Sequence, residues 1–479
     1  SKLQAEEYLV KWAEENGVVL GILRPSLMVG PNPPGNLKSM INGIKKGYYV
    51  NIAGGHTRKS LMMIHDIANL DEEASFRAIF EQPDRTVDNI ILSIRTLRQL
   101  EDLDPETTLI FLDEIQVCPE ALSSLKSFRK DGRYNVVASG SMLGVMDGLF
   151  DTDDGRSISP MGDARQYRMT SMDFEEFLWA NGIPQDAIDL VRQRIHDRMP
   201  IESPIFEQFS RLFRIFQITG GMPASVQAFV DDKTTFKNSS EEIEDIIVQI
   251  RRDITRYNTP VDAVKTTECF VSIPYQLSET NKKFHYSRIS AEGVEAKKTR
   301  KAADRYMENV LWIDHAGYGN FCHPVQDFAC PLKKNLRKDV FKIYLSDTGI
   351  LTHMYGDKAV NAIFTEDTAF NNGAITENAI AENLSKCGYD IAYHINNNGK
   401  ARMEIDFIVE FFEGLVAIEV KSGKDRSSPS INKVSEYHKV ERRVMLENGN
   451  IRITDDGIEH YPLFASAFFD ELDSRPEYL

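Results

Sequence analysis

No apolar run in this chain approaches the length of a membrane-spanning helix, and its start carries no signal-peptide pattern. Cytoplasm is therefore the expected compartment and no membrane partner is expected. The five cysteines (Cys118, Cys269, Cys322, Cys330 and Cys387) show no Cys-x-x-Cys spacing, which argues against a disulfide framework or a zinc knuckle. Cys322-His323 with Cys330 is the one local cluster, and no metal is expected on it. Positive charge is also short: 56 Lys and Arg against 72 Asp and Glu leave a formal net charge of -16. That excludes a protein that coats nucleic acid nonspecifically, while leaving a local basic face open. Finally, no Gly-x-x-x-x-Gly-Lys-[Ser/Thr] occurs. Gly54-Gly55-His56-Thr57-Arg58-Lys59-Ser60 is the nearest imitation and lacks the glycine before its lysine.

What is there is ordinary globular protein, 42% hydrophobic and 27% charged in 479 residues. That length suits about two to four domains. Thr107-Thr-Leu-Ile-Phe-Leu-Asp-Glu-Ile-Gln116 has an apolar run too short for a surface helix, ending at two carboxylates. It reads as a buried central strand presenting Asp113 and Glu114 at its C-terminal tip. In a nucleoside triphosphatase such an Asp holds the magnesium water shell and such a Glu orients the attacking water. The bland alternative is an acidic strand end that caps the next helix. One helix later, Tyr134 to Ser141 reads as a second strand, with Ser141 as a polar sensor beside a γ-phosphate and Gly140 allowing close backbone approach.

A second constellation lies near the C-terminus. Asp406 sits in the alternating stretch Met403 to Val409, and Ala417-Ile-Glu-Val-Lys421 brings Glu419 and Lys421. Adjacent antiparallel strands would set Asp406 beside Glu419, and a spacing of two puts Glu419 and Lys421 on one face. Two carboxylates can hold magnesium against a phosphate while the lysine positions a water or offsets charge. Glu377, in the helical pattern Thr376 to Asn383, would be a third ligand. An alternating charged strand on a solvated face is the plain alternative.

Between these, residues 246–325 follow a helix-turn-helix-plus-wing rhythm. Asn281-Lys-Lys-Phe284, Tyr286-Ser-Arg288 and Lys297 to Lys301 concentrate positive charge there. Either this stripe faces a nucleic-acid duplex or the lysines of a packed winged helix face water.

Three resemblances follow from these motifs. Ser1-Lys2-x-x-Ala-Glu, Leu23-Arg24-Pro to Gly30-Pro31 and Arg58 to His65-Asp66 resemble the C-terminal half of extended short-chain dehydrogenases and epimerases over residues 1–69. The resemblance implies that Lys2 is the lysine of a Tyr-x-x-x-Lys pair whose tyrosine is absent. NAD chemistry is accordingly not expected, Lys2, Arg24, Arg58 and Asp66 are relics, and two partial genes joined near residue 70 is the simplest account. Residues 73 to about 470 resemble a bacterial and archaeal family of AAA-type ATPases ending in domain of unknown function 4143. Thr108 to Gln116, Ala138 to Gly144, Phe174 to Ala180, Gly220-Gly-Met-Pro223, Ile273 to Leu277, Tyr344-Leu-x-Asp-x-Gly349 and Glu419 to Gly423 carry it. It implies Mg2+ and ATP as cofactors, Asp113 and Glu114 as the Walker B pair and Ser141 at the sensor strand. Without a phosphate cradle, ATP hydrolysis is expected at background only; Arg156 and Arg165 are the arginine-finger candidates. The Asp406, Glu419, Lys421 pattern with the Glu377 helix resembles the restriction-endonuclease-like superfamily, implying metal binding by Asp406 and Glu419.

The expected architecture is α/β. It comprises a 1–70 epimerase-like fragment, a truncated P-loop NTPase-like (AAA-type) core and lid over 71–245, a winged-helix-like unit over 246–325 and a restriction-endonuclease-like α/β domain over 326–479. Three functional readings stay open: an ATPase-family protein with a nuclease-like domain acting on or reading nucleic acid, a nucleic-acid- or protein-binding regulatory module without turnover, and a non-functional fusion.

Overall fold

A computed structural model describes residues 67–70, 74–100, 102–105, 108–140, 169–280, 282–289, 299–367, 369–397, 399–423 and 429–474, without the side chains of 299–304. Lys2, Arg24, Gly54 to Ser60, Asp66, Ser141, Arg156 and Arg165 lie outside them. The chain divides into two compact units between Met169 and Thr170. That division falls inside the 71–245 stretch expected as one core and lid.

In the first unit, β1 (Ile67–Asn69), α1 (Ala74–Phe80), α2 (Val87–Arg98), β2 (Leu109–Asp113), α3 (Pro119–Asp131) and β3 (Asn135–Ala138) follow one another. All three strands run parallel in the order β1-β2-β3, so the apolar run is the central strand as expected. β1 belongs by position to the stretch read as dehydrogenase-like, yet it pairs with β2, Asn69 opposite Asp113. Local chemistry explains the helix ends. Thr86 caps α2 by accepting the Asn89 N–H, Pro119 fits the first turn of α3, and Gly132 takes the left-handed conformation (φ 72°) that ends it. Ile110 and Leu112 are buried with Phe76, Phe80, Ile90, Leu122 and Phe128. Leu109 and Phe111, on the opposite face, are only partly covered, which corrects the expectation of a fully buried strand.

The second unit starts with α4 (Phe174–Ala180), where Asp173 and Glu176 form a reciprocal capping box. Helices α5 (Gln185–His196), α6 (Ser203–Thr219), α7 (Pro223–Asp231), α8 (Lys237–Arg256), α9 (Pro260–Leu277) and α10 (Thr299–His315) come next. Then follow β4 (Gly319–Pro324), β5 (Lys342–Leu345), α11 (Thr348–Met354), α12 (Asp357–Phe364), α13 (Gly373–Lys386), β6 (Ala392–Asn396), β7 (Met403–Phe411) and β8 (Gly414–Lys421). The chain closes with α14 (Pro429–Tyr437), β9 (Arg442–Glu447), β10 (Arg452–Ile453), β11 (Ile458–Pro462) and a 3-10 segment, Leu463–Leu472. The strands form one mixed eight-stranded sheet in the order β10-β11-β9-β8-β7-β6-β4-β5.

Alternation along β8 sends Val416, Ile418 and Val420 to a large core shared with Ile380 and Leu384 of α13. It sends Leu415 and Ala417 to a smaller core with Ile431 and Val434 of α14. The 246–325 stretch does not stand apart. β4 lies inside this sheet between β6 and β5, and Ile250, Phe270 and Val310 belong to the large core with Phe407.

Two sequence motifs meet at one junction. The Gly221 N–H donates to Asp347 Oδ2 at 2.8 Å, and a Cβ on Gly221 would lie 2.0 Å from the Met172 carbonyl oxygen. A Cβ on Gly349 would lie 2.4 Å from the Gly220 nitrogen. Glycine is required at both positions because two backbones touch there. The Gly220-Gly-Met-Pro223 and Tyr344 to Gly349 motifs are thus one packing contact.

Candidate functional site

At the tip of β2, Asp113 Oδ1 accepts a hydrogen bond from the Ser139 hydroxyl, and the Glu114 carboxylate accepts one from the Gln116 amide. Glu114 takes a left-handed backbone conformation (φ 53°) as the strand turns into a short 3-10 segment. Ser139, just past the end of β3, is thus the residue whose hydroxyl reaches Asp113 among the described residues. It stands in the same Ala-Ser-Gly-Ser run that the sequence singled out, whose Ser141 lies outside the described residues.

The C-terminal constellation assembles around β7 and β8. Their antiparallel register pairs Phe407 with Ile418, which carries Asp406 and Glu419 to neighbouring positions as expected. A register shift between β6 and β7 interrupts the alternation: Met403 and Ile405 line the smaller core, whereas Phe407 and Val409 line the larger one. Asp406 sits at that irregularity, a common device for re-aiming a strand residue. There its Oδ2 accepts the Val420 N–H at 2.9 Å. Glu419 pairs with Lys421 at 3.0 Å, as the spacing of two predicts.

Helix α13 brings Glu377, 6% exposed, against the same cluster. Its neighbour Asn378 fixes the helix to β5, accepting the Leu345 N–H at 2.7 Å and donating to the Leu345 carbonyl at 3.0 Å. Glu377 is then held by two groups that sequence reasoning did not assign to the site. The Tyr344 hydroxyl donates to its Oε2 at 3.1 Å, and the Lys282 ammonium pairs with its Oε1. A third addition is Lys342, wholly buried on β5 with its ammonium 3.9 Å from Glu404 and 4.7 Å from the centre of the Tyr393 ring. Tyr344 was visible inside a family motif and Lys282 inside the basic stripe. Lys342 carried no sequence signal.

Electrostatics follow from this crowding. Burial pushes the Asp406 carboxyl well above the usual range, and the charges of Glu419 and Glu377 push the same way. Burial alone would raise Glu377, but Lys282 and Lys342 together hold it below its ordinary value. Lys282 is raised, because the carboxylates of Glu377 and Asp406 outweigh the burial that opposes its charge. Oxygen donors of this kind suit Mg2+. The placement does not. Among the described residues no three His, Cys, Asp or Glu side chains are grouped to hold an ion. The carboxylates of Glu377 and Glu419 are instead paired with lysines and that of Asp406 with a backbone N–H.

The basic stripe is also partly spent inside the chain. Lys282 pairs with Glu377 and Arg288 with Glu279. Lys283 lines an open cleft of about 440 Å³ with Arg337, Gln326, His394 and Asn396.

Residues 57–178 match a family model described as an AAA domain. Residues 372–464 match the domain of unknown function DUF4143, and residues 210–361 match a separate domain of unknown function, DUF8612. The AAA and DUF4143 matches support the ATPase-like and C-terminal parts of the expected resemblance. The AAA match starts within the stretch expected as dehydrogenase-like, and these matches lend that resemblance no support. No curated protein and no solved structure matches the chain. Among the described residues, no helix is long and apolar enough to cross a membrane.

Proposed function

We propose that this chain is an AAA-type protein whose C-terminal half is a restriction-endonuclease-like module that binds nucleic acid without cleaving it. The observation that carries the reading is the internal pairing of the three carboxylates, Glu377 with Lys282, Glu419 with Lys421 and Asp406 with the Val420 N–H. With Glu377 and Glu419 offset by lysines and Asp406 pushed towards its neutral form by burial, the cluster has the residues of a phosphodiester site with little of the free negative charge that draws in a divalent ion. The cleft lined by Lys283 and Arg337 brings cationic side chains to a surface that a phosphate backbone could meet, with Arg337 also paired to Asp339, and with Asp327 on the same wall. Nucleotide turnover is not part of the reading: ATP hydrolysis by this chain is expected at background, and an activity abolished by Glu114→Gln would refute that.

The test pairs two measurements on the full chain. Fluorescence anisotropy with short labelled DNA and RNA is expected to show salt-dependent binding, while supercoiled DNA and single-stranded RNA incubated with Mg2+ or Mn2+ stay intact. Nicking that disappears in Asp406→Asn would overturn the reading. A second reading, metal-dependent cleavage, is favoured by the β7/β8 register that sets Asp406 beside Glu419. That nicking result would be its confirmation.

A further inference from the structure

We infer that the open cleft of the second unit is the middle of a wider phosphate-backbone surface, gripped by Lys334 and Lys338 on one rim and by Lys400 and Arg402 on the other. This surface holds nucleic acid without reading its sequence. The inference rests on the nucleic-acid reading above and says where that contact is made.

The first rim is the strap between β4 and β5, which lines the cleft through Gln326, Asp327 and Arg337. Four of the six residues from Lys333 to Lys338 are Lys or Arg, in a chain whose formal net charge is -16. The strap carries this charge on a fixed backbone. Leu332 is 1% exposed in the smaller core, and its N–H donates to the Glu410 carboxylate. The Gln326 N–H donates to the Asn335 carbonyl at 3.0 Å, and the Arg337 N–H to the Pro324 carbonyl at 3.0 Å. The Asn335 amide closes the turn from within, donating to the Ala329 carbonyl at 2.7 Å. Cations on an ordered backbone lose only side-chain freedom on binding. Two of the four already have acidic neighbours: Lys333 pairs with Asp390 at 2.9 Å and Arg337 with Asp339 at 2.9 Å. Lys334 and Lys338 are exposed and form no ion pair among the described residues.

Strand β6 supplies another wall through His394, Ile395 and Asn396. Beyond Asn396 the chain makes a short 3-10 turn, Gly399–Ala401, before entering β7. Its Lys400 and the following Arg402 are exposed, and neither forms an ion pair among the described residues. Asp327 on the cleft wall and Asp339 beside Arg337 offset the charge within the cleft, so the cationic excess lies on the rims. A polyanion that crosses the opening meets both rims, which a single phosphate seated in the cleft does not. Cationic contacts to phosphate fix position and carry no base information.

The experiment follows binding of the full chain by fluorescence anisotropy over a series of salt concentrations. The probes are labelled DNA duplexes of equal length and unrelated sequence, and an RNA duplex. One variant combines Lys334→Ala with Lys338→Ala, and a second combines Lys400→Ala with Arg402→Ala. A control combines Lys237→Ala with Lys358→Ala, exposed residues of α8 and α12 that do not line the cleft. Each rim variant should flatten the slope of log affinity against log salt by roughly 1.5–2, one released counterion for each lost contact. It should weaken binding to unrelated sequences alike. The control removes the same charge and should keep the native slope. A native slope in either rim variant, an equal change in the control, or an effect confined to one sequence overturns the inference. Poly-glutamate that displaces the labelled duplex as well as unlabelled duplex does would assign the surface to acidic chains in general and overturn it too. A native chain that binds neither DNA nor RNA sinks the nucleic-acid reading itself, whereas native binding with unchanged slopes in the rim variants sinks only this placement.

Discussion

Strands β2 and β8 are nearly indistinguishable as strings, Leu-Ile-Phe-Leu-Asp against Leu-Val-Ala-Ile-Glu-Val-Lys, yet they live in different surroundings. β2 alternates between buried and half-covered positions, because helices pack on the Ile110 and Leu112 face while Phe111 stays partly open. β8 is buried from Leu415 to Val420, since α13 covers one face of its sheet and α14 the other. An apolar run reports that a strand is central. It does not report how many layers cover it.

The same contrast divides the acidic residues at the strand ends. Asp113 and Glu114 are half-exposed, and their hydrogen-bond partners include the Ser139 hydroxyl and the Gln116 amide. Glu419 lies inside two layers and is paired with a lysine, and Glu377, also enclosed, is paired with another. Enclosure sets the requirement: a buried carboxylate needs a charged or strongly hydrogen-bonded partner, whereas a half-exposed one keeps access to water.

The largest test of this comparison is a matched pair of truncations. Phe407→Ala empties a fully buried position and should cost about 3–5 kcal/mol, whereas Phe111→Ala, on the half-covered face, should cost only about 1 kcal/mol. Hydrogen exchange of peptides spanning each strand reads the two effects locally, which matters in a chain of two compact units. Equal costs would mean that both faces of β2 are as well packed as those of β8.

A smaller effect should separate the units by pH. Within the second unit, burial raises Glu382 to about 7 against the pull of Lys386, while its carboxylate accepts the Thr348 N–H at 2.8 Å and hydroxyl at 2.6 Å. A carboxyl whose folded pKa exceeds its unfolded value binds its proton more tightly when folded. Its contribution to stability is therefore complete below the ordinary glutamate value of 4.5 and is lost as pH rises through about 7. Glu382→Gln mimics the neutral acid and has no such titration. Across that window the native chain should lose stability relative to this variant, by about 1.4 kcal/mol for each pH unit. A native chain that gains stability relative to the variant over the same interval would show that the pair with Lys386 outweighs burial.

The comparison also shows how much of the molecule the sequence carried. The helix that carries Glu377, the central place of β2 and the pairing of β7 with β8 were legible, because periodicity is local. The meeting of Asp406, Glu419 and Glu377 was legible from spacing and element order. Lys282 and Lys342 were not, because nothing within their own segments marks them as partners of Glu377. Nor was the register shift beside Asp406, which depends on β6. The continuity of 246–325 with the large core was hidden for the same reason: it depends on the pairing of β4 with β5 and β6, far along the chain.

The smallest predicted effect returns to the exposed strand tip. Ser139→Ala removes the hydroxyl that donates to Asp113, and because both residues are half-exposed, water can take over the vacated acceptor. The cost should be about 0.5–1.5 kcal/mol, the net worth of one hydrogen bond that solvent can replace. It should appear as faster exchange of the amides near the β2 and β3 tips, including Ser139 N–H to the Leu112 carbonyl and Ile115 N–H to the Ser139 carbonyl. A loss of about 3 kcal/mol or more would imply that Asp113 is left buried and unpaired. The first unit would then enclose its strand-tip carboxylate as tightly as the second encloses Glu377 and Glu419.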